Sequence, residues 1–226
     1  MFVGHYGVSF LAKKSDDSIP LWVLFVAVQL LDVVWAPLVL LGVEKVRIVP
    51  GFTATNPLDL YYMPYTHSLA AALLWSLAGA VTYRLLRRSY SPRASLLVGA
   101  AVFSHWVLDF LVHRPDLPLF DNSAKVGLGL WNHPVPAFGL EAASLLGGLA
   151  LFVRHRAGRW VALAVFGLIM LMIQAYVFFG PPPVSDAALA ATALGSYAVF
   201  ALVSWWLVDF RHATRAARVG HNLRRV

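Results

Sequence analysis

Side chains capable of acid–base or metal chemistry recur at four-residue spacing in one apolar stretch: His105, Asp109 and His113 lie within residues 94–116, ASLLVGAAVFSHWVLDFLVHRPD. On a helix this spacing puts all three on one face. Imidazole and carboxylate together suit zinc, manganese or iron, and either can accept or deliver a proton during a reaction. The stretch is also apolar enough to cross a bilayer, where an ionisable group at the centre of a helix costs about 3 kcal/mol. Its polar face must therefore turn toward protein, water or a bound ion.

The elements that have to position this face are membrane helices. Of the 226 residues, 59% are hydrophobic and 13% charged, a balance that soluble domains do not show. There is no cysteine, which excludes disulfides, thiolate zinc sites and a cysteine nucleophile. In residues 1–20 the apolar run precedes the lysines, the reverse of a signal peptide, so the first span is expected to stay in the mature chain. Residues 2–12 predict a short helix, lying at the interface or dipping into the bundle. Six spans follow, at residues 19–41, 67–86, 94–116, 135–153, 160–179 and 187–208, then a basic tail over 211–226. Residues 42–66, with prolines, glycine and mixed polarity, read as a structured loop, and 114–134 as another long polar loop. The expected fold is an all-α polytopic bundle of about six transmembrane helices plus the short N-terminal one, a single integral membrane domain over residues 1–226.

Fourteen of the eighteen lysines and arginines fall on the side of the bundle that holds both termini. The other side has only Lys45, Arg47, Arg114 and Lys125. This asymmetry places both termini in the cytoplasm. It also accounts for the net charge of +7 without a nucleic-acid partner, since the basic residues sit in short clusters between apolar runs. In this orientation Asp32, about 20 Å along the first span, comes to a depth near His105, with His67 at the head of the second span and Glu141 about 9 Å into the fourth. Residues remote in sequence converge at one depth, facing the extracytoplasmic side.

The candidate metal ligands are His67, His105, Asp109 and Asp32, with His5 and His113 beside them. The ion is one or two divalent cations, zinc first, then manganese or iron. Asp116, Glu141 and His133 are the candidates for proton transfer, and Asp59 is a reserve ligand. Each residue admits a plainer reading. His105 and Asp109 can form a hydrogen-bonded pair that fixes packing, Asp32 can bond Gln29, a serine or Trp35, and His67 can neighbour a helix cap. The convergence counts for more than any one of them.

Gly4-His5, Pro64-Tyr65-Thr66-His67-Ser68-Leu69 and Ser104-His105-Trp106-Val107-Leu108-Asp109 resemble, in order and context, the motifs of the YdjM-like family of membrane-bound metal-dependent hydrolases. The resemblance covers about the first 120 residues and implies metal roles for His5, His67, His105 and Asp109. The chain departs from the family's acidic motif, an aspartate–x–aspartate–histidine cluster, where it has Leu31-Asp32-Val33-Val34-Trp35. Asp59, His113, Asp116 and Glu141 are the residues left to complete a second ion.

The function expected is hydrolysis of an ester or phosphoester of a lipid or amphiphile, as in a lipid esterase, phospholipase or phosphatase. Such a substrate already lies with its polar linkage at the membrane boundary, and Arg114 and Lys125 are placed to attract an anionic headgroup. The rivals are a metal-ion or proton-coupled transporter, a haem protein with two axial histidines, and a metal-stabilised structural protein. The expected lack of a broken span or internal repeat weighs against a secondary transporter.

Overall fold

A computed structural model describes residues 1–87, 91–154 and 160–210. Arg88, Arg156, Arg159 and the arginines from residue 211 on, all used in the charge asymmetry, lie outside the described residues. Helix α1 (His5–Ser15) is followed by α2 (Leu21–Val28) and α3 (Leu30–Leu40), and then by strands β1 (Lys45–Ile48) and β2 (Leu58–Tyr62). The rest is helical: α4 (Leu69–Leu86), α5 (Pro92–Val112), α6 (Pro134–Val153), α7 (Trp160–Phe179) and α8 (Asp186–Ser204), the last continued by a π-helical turn over Trp205–Phe210. Among the described residues five helices are long and apolar enough to cross a membrane, or six if α2 and α3 count as one bent span.

Two expectations change. The span over residues 19–41 is not continuous: it breaks at Gln29, and α2 and α3 meet at 54°. Neither proline nor glycine stands at the break. Instead a side chain enters the backbone ladder there, a recognised cause of sharp kinks, because His105 Nδ1 lies 2.7 Å from the carbonyl oxygen of Val28, the last residue of α2. The second change is to the all-α reading, within the structured loop expected over residues 42–66. They hold the antiparallel pair β1–β2, with Arg47 opposite Asp59 and a bulge between Lys45 and Arg47. The bundle is therefore mainly, not wholly, helical.

Helix α1 enters the interior. His5, Tyr6 and Phe10 are fully buried, and the helix packs on α6, α2 and α5. Small residues make this possible. A Cβ on Gly7 would run into the backbone of Ser144, and one on Gly148 into the backbone of Gly7, so the two helices touch main chain to main chain. Ser144 Oγ fastens the contact by donating to the Gly4 carbonyl at 2.6 Å. Deeper along α1, Tyr6 and Phe10 pack on Phe25, and Phe25 on Phe166, an aromatic plug that fills the bundle on that side.

At the other end, segments from between helices cover the mouth. The first N–H groups of α4, on Leu69 and Ala70, donate to the carbonyls of Pro118 and Leu119. Thr55 Oγ1 donates to the Trp131 carbonyl at 2.9 Å, tying the β1–β2 connection to the segment before α6.

Candidate metal centre

Each ring of the centre is aimed by a local device. Helix α4 is capped by Ser68, whose hydroxyl accepts from Ala71 N, so His67 stands just ahead of the helix, in a turn where its N–H donates to the Met63 carbonyl. Trp106 Nε1 donates to the His67 carbonyl at 3.0 Å and fixes its backbone. The Thr66 hydroxyl donates to Glu44 Oε2 at 2.6 Å, so its oxygen is free to accept from His67 Nδ1 at 2.7 Å. Glu44 is itself held by the N–H groups of Tyr65 and Thr66. Burial pushes its carboxyl above the ordinary range, against the pull of His67 and of the Thr66 hydroxyl.

The same logic sets the other rings. A carbonyl can only accept, so the contact with Val28 puts the proton of His105 on Nδ1. His113, at the C-terminus of α5, has Nδ1 2.8 Å from Asp116 Oδ1 and lies against Trp131. In all three histidines Nδ1 is engaged by an oxygen, which leaves the Nε2 lone pair as the free ligand position. This is how protein metal sites usually orient imidazole.

Those Nε2 atoms converge on two carboxylates. His67 Nε2 is 3.2 Å from Asp32 Oδ1 and 3.8 Å from Asp109 Oδ2. His105 Nε2 is 3.1 Å from Asp109 Oδ2 and 3.8 Å from Asp32 Oδ1. His113 Nε2 is 3.7 Å from Asp109 Oδ2. On the other oxygen of the same carboxylate, His5 Nε2 lies 3.3 Å from Asp109 Oδ1, its ring stacked on His105 with centroids 3.9 Å apart. The amine of Met1 also meets Asp109 Oδ1. Asp32 sits in the first turn of α3, where the positive end of the helix favours a carboxylate, and Tyr197 donates to its Oδ2 at 2.8 Å.

A tetrahedral zinc with bonds of about 2.0–2.1 Å holds its ligand atoms about 3.3 Å apart. The four separations among His67, His105, Asp32 and Asp109 run from 3.1 to 3.8 Å and bracket that value. The polar atoms here also lack other partners. His105 Nε2 and both ring nitrogens of His5 are buried and make no hydrogen bond. Unpaired buried polar groups are costly, and acceptors facing acceptors need a cation or a proton between them. Two donor triads within reach of a single ion are present, His5 with His105 and Asp109, and Asp32 with His67 and His105. The donor set fits a divalent metal.

The remaining candidates lie apart from the ring or are otherwise engaged. Asp116 orients His113. Glu141, buried, accepts from Gly4 N at 2.7 Å and from Phe2 N at 3.0 Å, so it anchors the N-terminal segment. His133 is exposed at the N-terminus of α6 and touches neither the ring nor the cavity beside it. Asp59 is bound by Arg47 across the β1–β2 pair. Sequence reasoning passed over Glu44, Thr66 and Tyr197. Thr66 was visible as the neighbour of His67, whereas nothing local marks a glutamate before a strand or a tyrosine in an apolar span.

A cavity of about 580 Å³ adjoins the ring, with Asp32, His67, Asp109 and His113 on its wall. The wall runs outward past Tyr176 to the prolines at 181–183 and to Val184, which is 94% exposed, so the space reaches the surface at this end of the bundle. No family model, no curated protein and no solved structure matches the chain.

Proposed function

We propose that this protein is a membrane-embedded, metal-dependent hydrolase acting on an ester or phosphoester of a lipid or amphiphile. The observation that carries the reading is the position of the ring: four of its donors, Asp32, His67, Asp109 and His113, lie on the wall of a cavity that opens to the surface, where a closed structural ion would need no such access. His67, His105, Asp109 and Asp32 would hold the ion, zinc first, with His5 and His113 as further donors. With three of these donors on the ion and one position left to water, the metal would lower the pKa of that water and polarise the bond under attack.

The chain's own residues do the rest. Asp32, with 16% of its side chain exposed, is the ligand that meets the cavity most openly, and would turn Oδ1 to the ion while Tyr197 holds Oδ2. Glu44 through Thr66, and Asp116, keep His67 and His113 in the tautomer that presents Nε2. Glu141 holds the Phe2 and Gly4 N–H groups and so seats His5 in the ring. The resemblance to the YdjM-like family supports the same chemistry in a cell inner membrane, and the asymmetry of lysine and arginine supports a site on the extracytoplasmic side.

The bent span beside the ring favours one second reading, a transporter of metal ions or protons, since broken helices frame many transport sites. Below the ring, however, the bundle is filled by the aromatic plug around Phe25, which supports access from one side only. The test is metal analysis of protein purified without added metal, beside the His105→Ala variant and an assay of ester- and phosphoester-linked amphiphiles. The expected result is metal in the parent, little in the variant, and hydrolysis that follows metal content. Full metal content in His105→Ala, or metal flux into proteoliposomes without hydrolysis, overturns the proposal.

A further inference from the structure

The cavity also constrains which amphiphile it admits, an inference that rests on the hydrolase reading above. Among the described residues of its wall there is no lysine or arginine. The basic side chains nearest this mouth are engaged elsewhere. The Arg114 guanidinium lies 4.4 Å from the centroid of the Phe52 ring, and Lys125 Nζ donates to the Tyr61 carbonyl at 2.8 Å. Arg47 is bound to Asp59. The sequence-based expectation that Arg114 and Lys125 attract an anionic headgroup is thus not met by their placement. The Met1 amine, also on the wall, is held by Asp109.

What the wall does carry is aromatic and acidic. Trp35, Trp131, Tyr176 and Tyr197 line it together with Asp32, Asp109 and Glu141. An anionic headgroup entering such a space would lose hydration with no cationic side chain to compensate it. An uncharged head loses little, and an ammonium head is attracted by aromatic faces and by carboxylates. The charge of the cleaved linkage is a separate matter, because the ion would meet it. At the outer end the wall turns apolar, with Phe178, the prolines at 181–183, Leu189 and Ala193.

We infer that the site selects amphiphiles whose headgroup bears no net negative charge, with the head among the aromatic residues near the ring and the chain along α8 and the proline segment. The polarity gradient of the cavity sets that direction, and the absence of cationic side chains sets the charge selection.

The experiment uses the full chain in nanodiscs of uncharged lipid and three radiolabelled dodecyl amphiphiles bearing a trimethylammonium, a hydroxyl or a sulfate head. Binding is read by scintillation proximity, and the part due to the cavity is what the space-filling Ala193→Phe variant removes. The trimethylammonium and hydroxyl probes are expected to bind there at least about fivefold more tightly than the sulfate probe. Equal or tighter cavity binding of the sulfate probe overturns the charge selection. Equal binding of all three to Ala193→Phe and to the parent overturns the cavity as the chain's site. Ser196→Phe, on the next turn of α8, serves where Ala193→Phe does not fold. Metal content of the same samples separates the two failures: sulfate preference with metal retained sinks this inference alone, whereas a parent without metal sinks the hydrolase reading.

Discussion

Helix α1 brings a basic side chain to a carboxylate at each of its ends, and the two ends are built differently. In its last turn the buried Lys13 donates to the carbonyls of Asp17 at 2.7 Å and Ile19 at 2.8 Å, and lies 3.2 Å from Asp17 Oδ1 and 3.9 Å from Asp209 Oδ1. Asp209 in turn accepts from the N–H groups of Leu21 and Trp22, at the start of α2. The ammonium has a partner for each of its protons, so this end holds α1, α2 and the turn after α8 together with nothing further required. In the first turn His5 meets Asp109, but neither of its ring nitrogens is hydrogen-bonded, and the Nε2 atoms of three more histidines face the same two carboxylates. One end is a finished structural lock. The other leaves buried imidazole nitrogens without a hydrogen bond around a carboxylate that also takes the Met1 amine, a donor set that fits a metal.

The sharpest way to break this contrast is to remove one charge from each end. Asp109→Ala takes away the carboxylate that faces His5, His67, His105 and His113, and is expected to abolish metal binding, a loss beyond the 10–100-fold typical of an outer-shell partner. Lys13→Met leaves the Asp17 and Ile19 carbonyls without their donor and should cost about 1–3 kcal/mol of stability while metal content stays at the parent's level. Elemental analysis and thermal unfolding in the same detergent check both. Metal retained in Asp109→Ala, or lost in Lys13→Met, would erase the distinction.

The next prediction separates ligands from the groups that aim them. Thr66→Val keeps the volume but removes the oxygen that accepts from His67 Nδ1, and should weaken metal affinity by about 10-fold or more. Thr66→Ser, which keeps the hydroxyl, should restore it. Cobalt substitution adds a readout that a general loss of packing would not move: the visible spectrum of Thr66→Val should change while that of Lys13→Met does not. An unaltered spectrum in Thr66→Val would take Thr66 and Glu44 out of the centre.

Much of this arrangement was readable from the chain and some was not, for physical reasons. The four-residue rhythm of His105 and Asp109 fixes a helix face, and the cost of hydrocarbon forces that face inward, so α5 and its role as the frame of the ring followed from local sequence. The start of α4 followed to within two residues: the span was expected from His67, whereas Ser68 caps the helix and leaves His67 just ahead of it. Nothing local announced the break at Gln29. It depends on His105, remote in the chain, approaching the Val28 carbonyl, and a window of apolar residues carries no record of that. Asp59, a reserve ligand, and His133, a candidate for proton transfer, dropped out only when strand register bound the first to Arg47 and the second came to lie exposed at a helix start. The reverse holds for Glu44, which local sequence leaves in a loop and tertiary contact makes the support of His67.

That break leads to the smallest effect in the series. Asp32 is held in two ways: by its place in the first turn of α3, tilted 54° from α2, and by the Tyr197 hydroxyl on Oδ2. The first comes from backbone fixed at several points, since Gln29 Nε2 also donates to the Phe2 carbonyl at 3.0 Å. The second is one hydrogen bond beside a cavity, where water can take over the donor's role at little cost. Tyr197→Phe should therefore lower metal affinity only about threefold, with no change in metal stoichiometry, as read by competition against a chelator of known affinity. A loss as large as that of Thr66→Val would mean that the hydroxyl, and not the helix break, sets the position of Asp32. The bend at Gln29 would then owe its place in the fold to His105 alone.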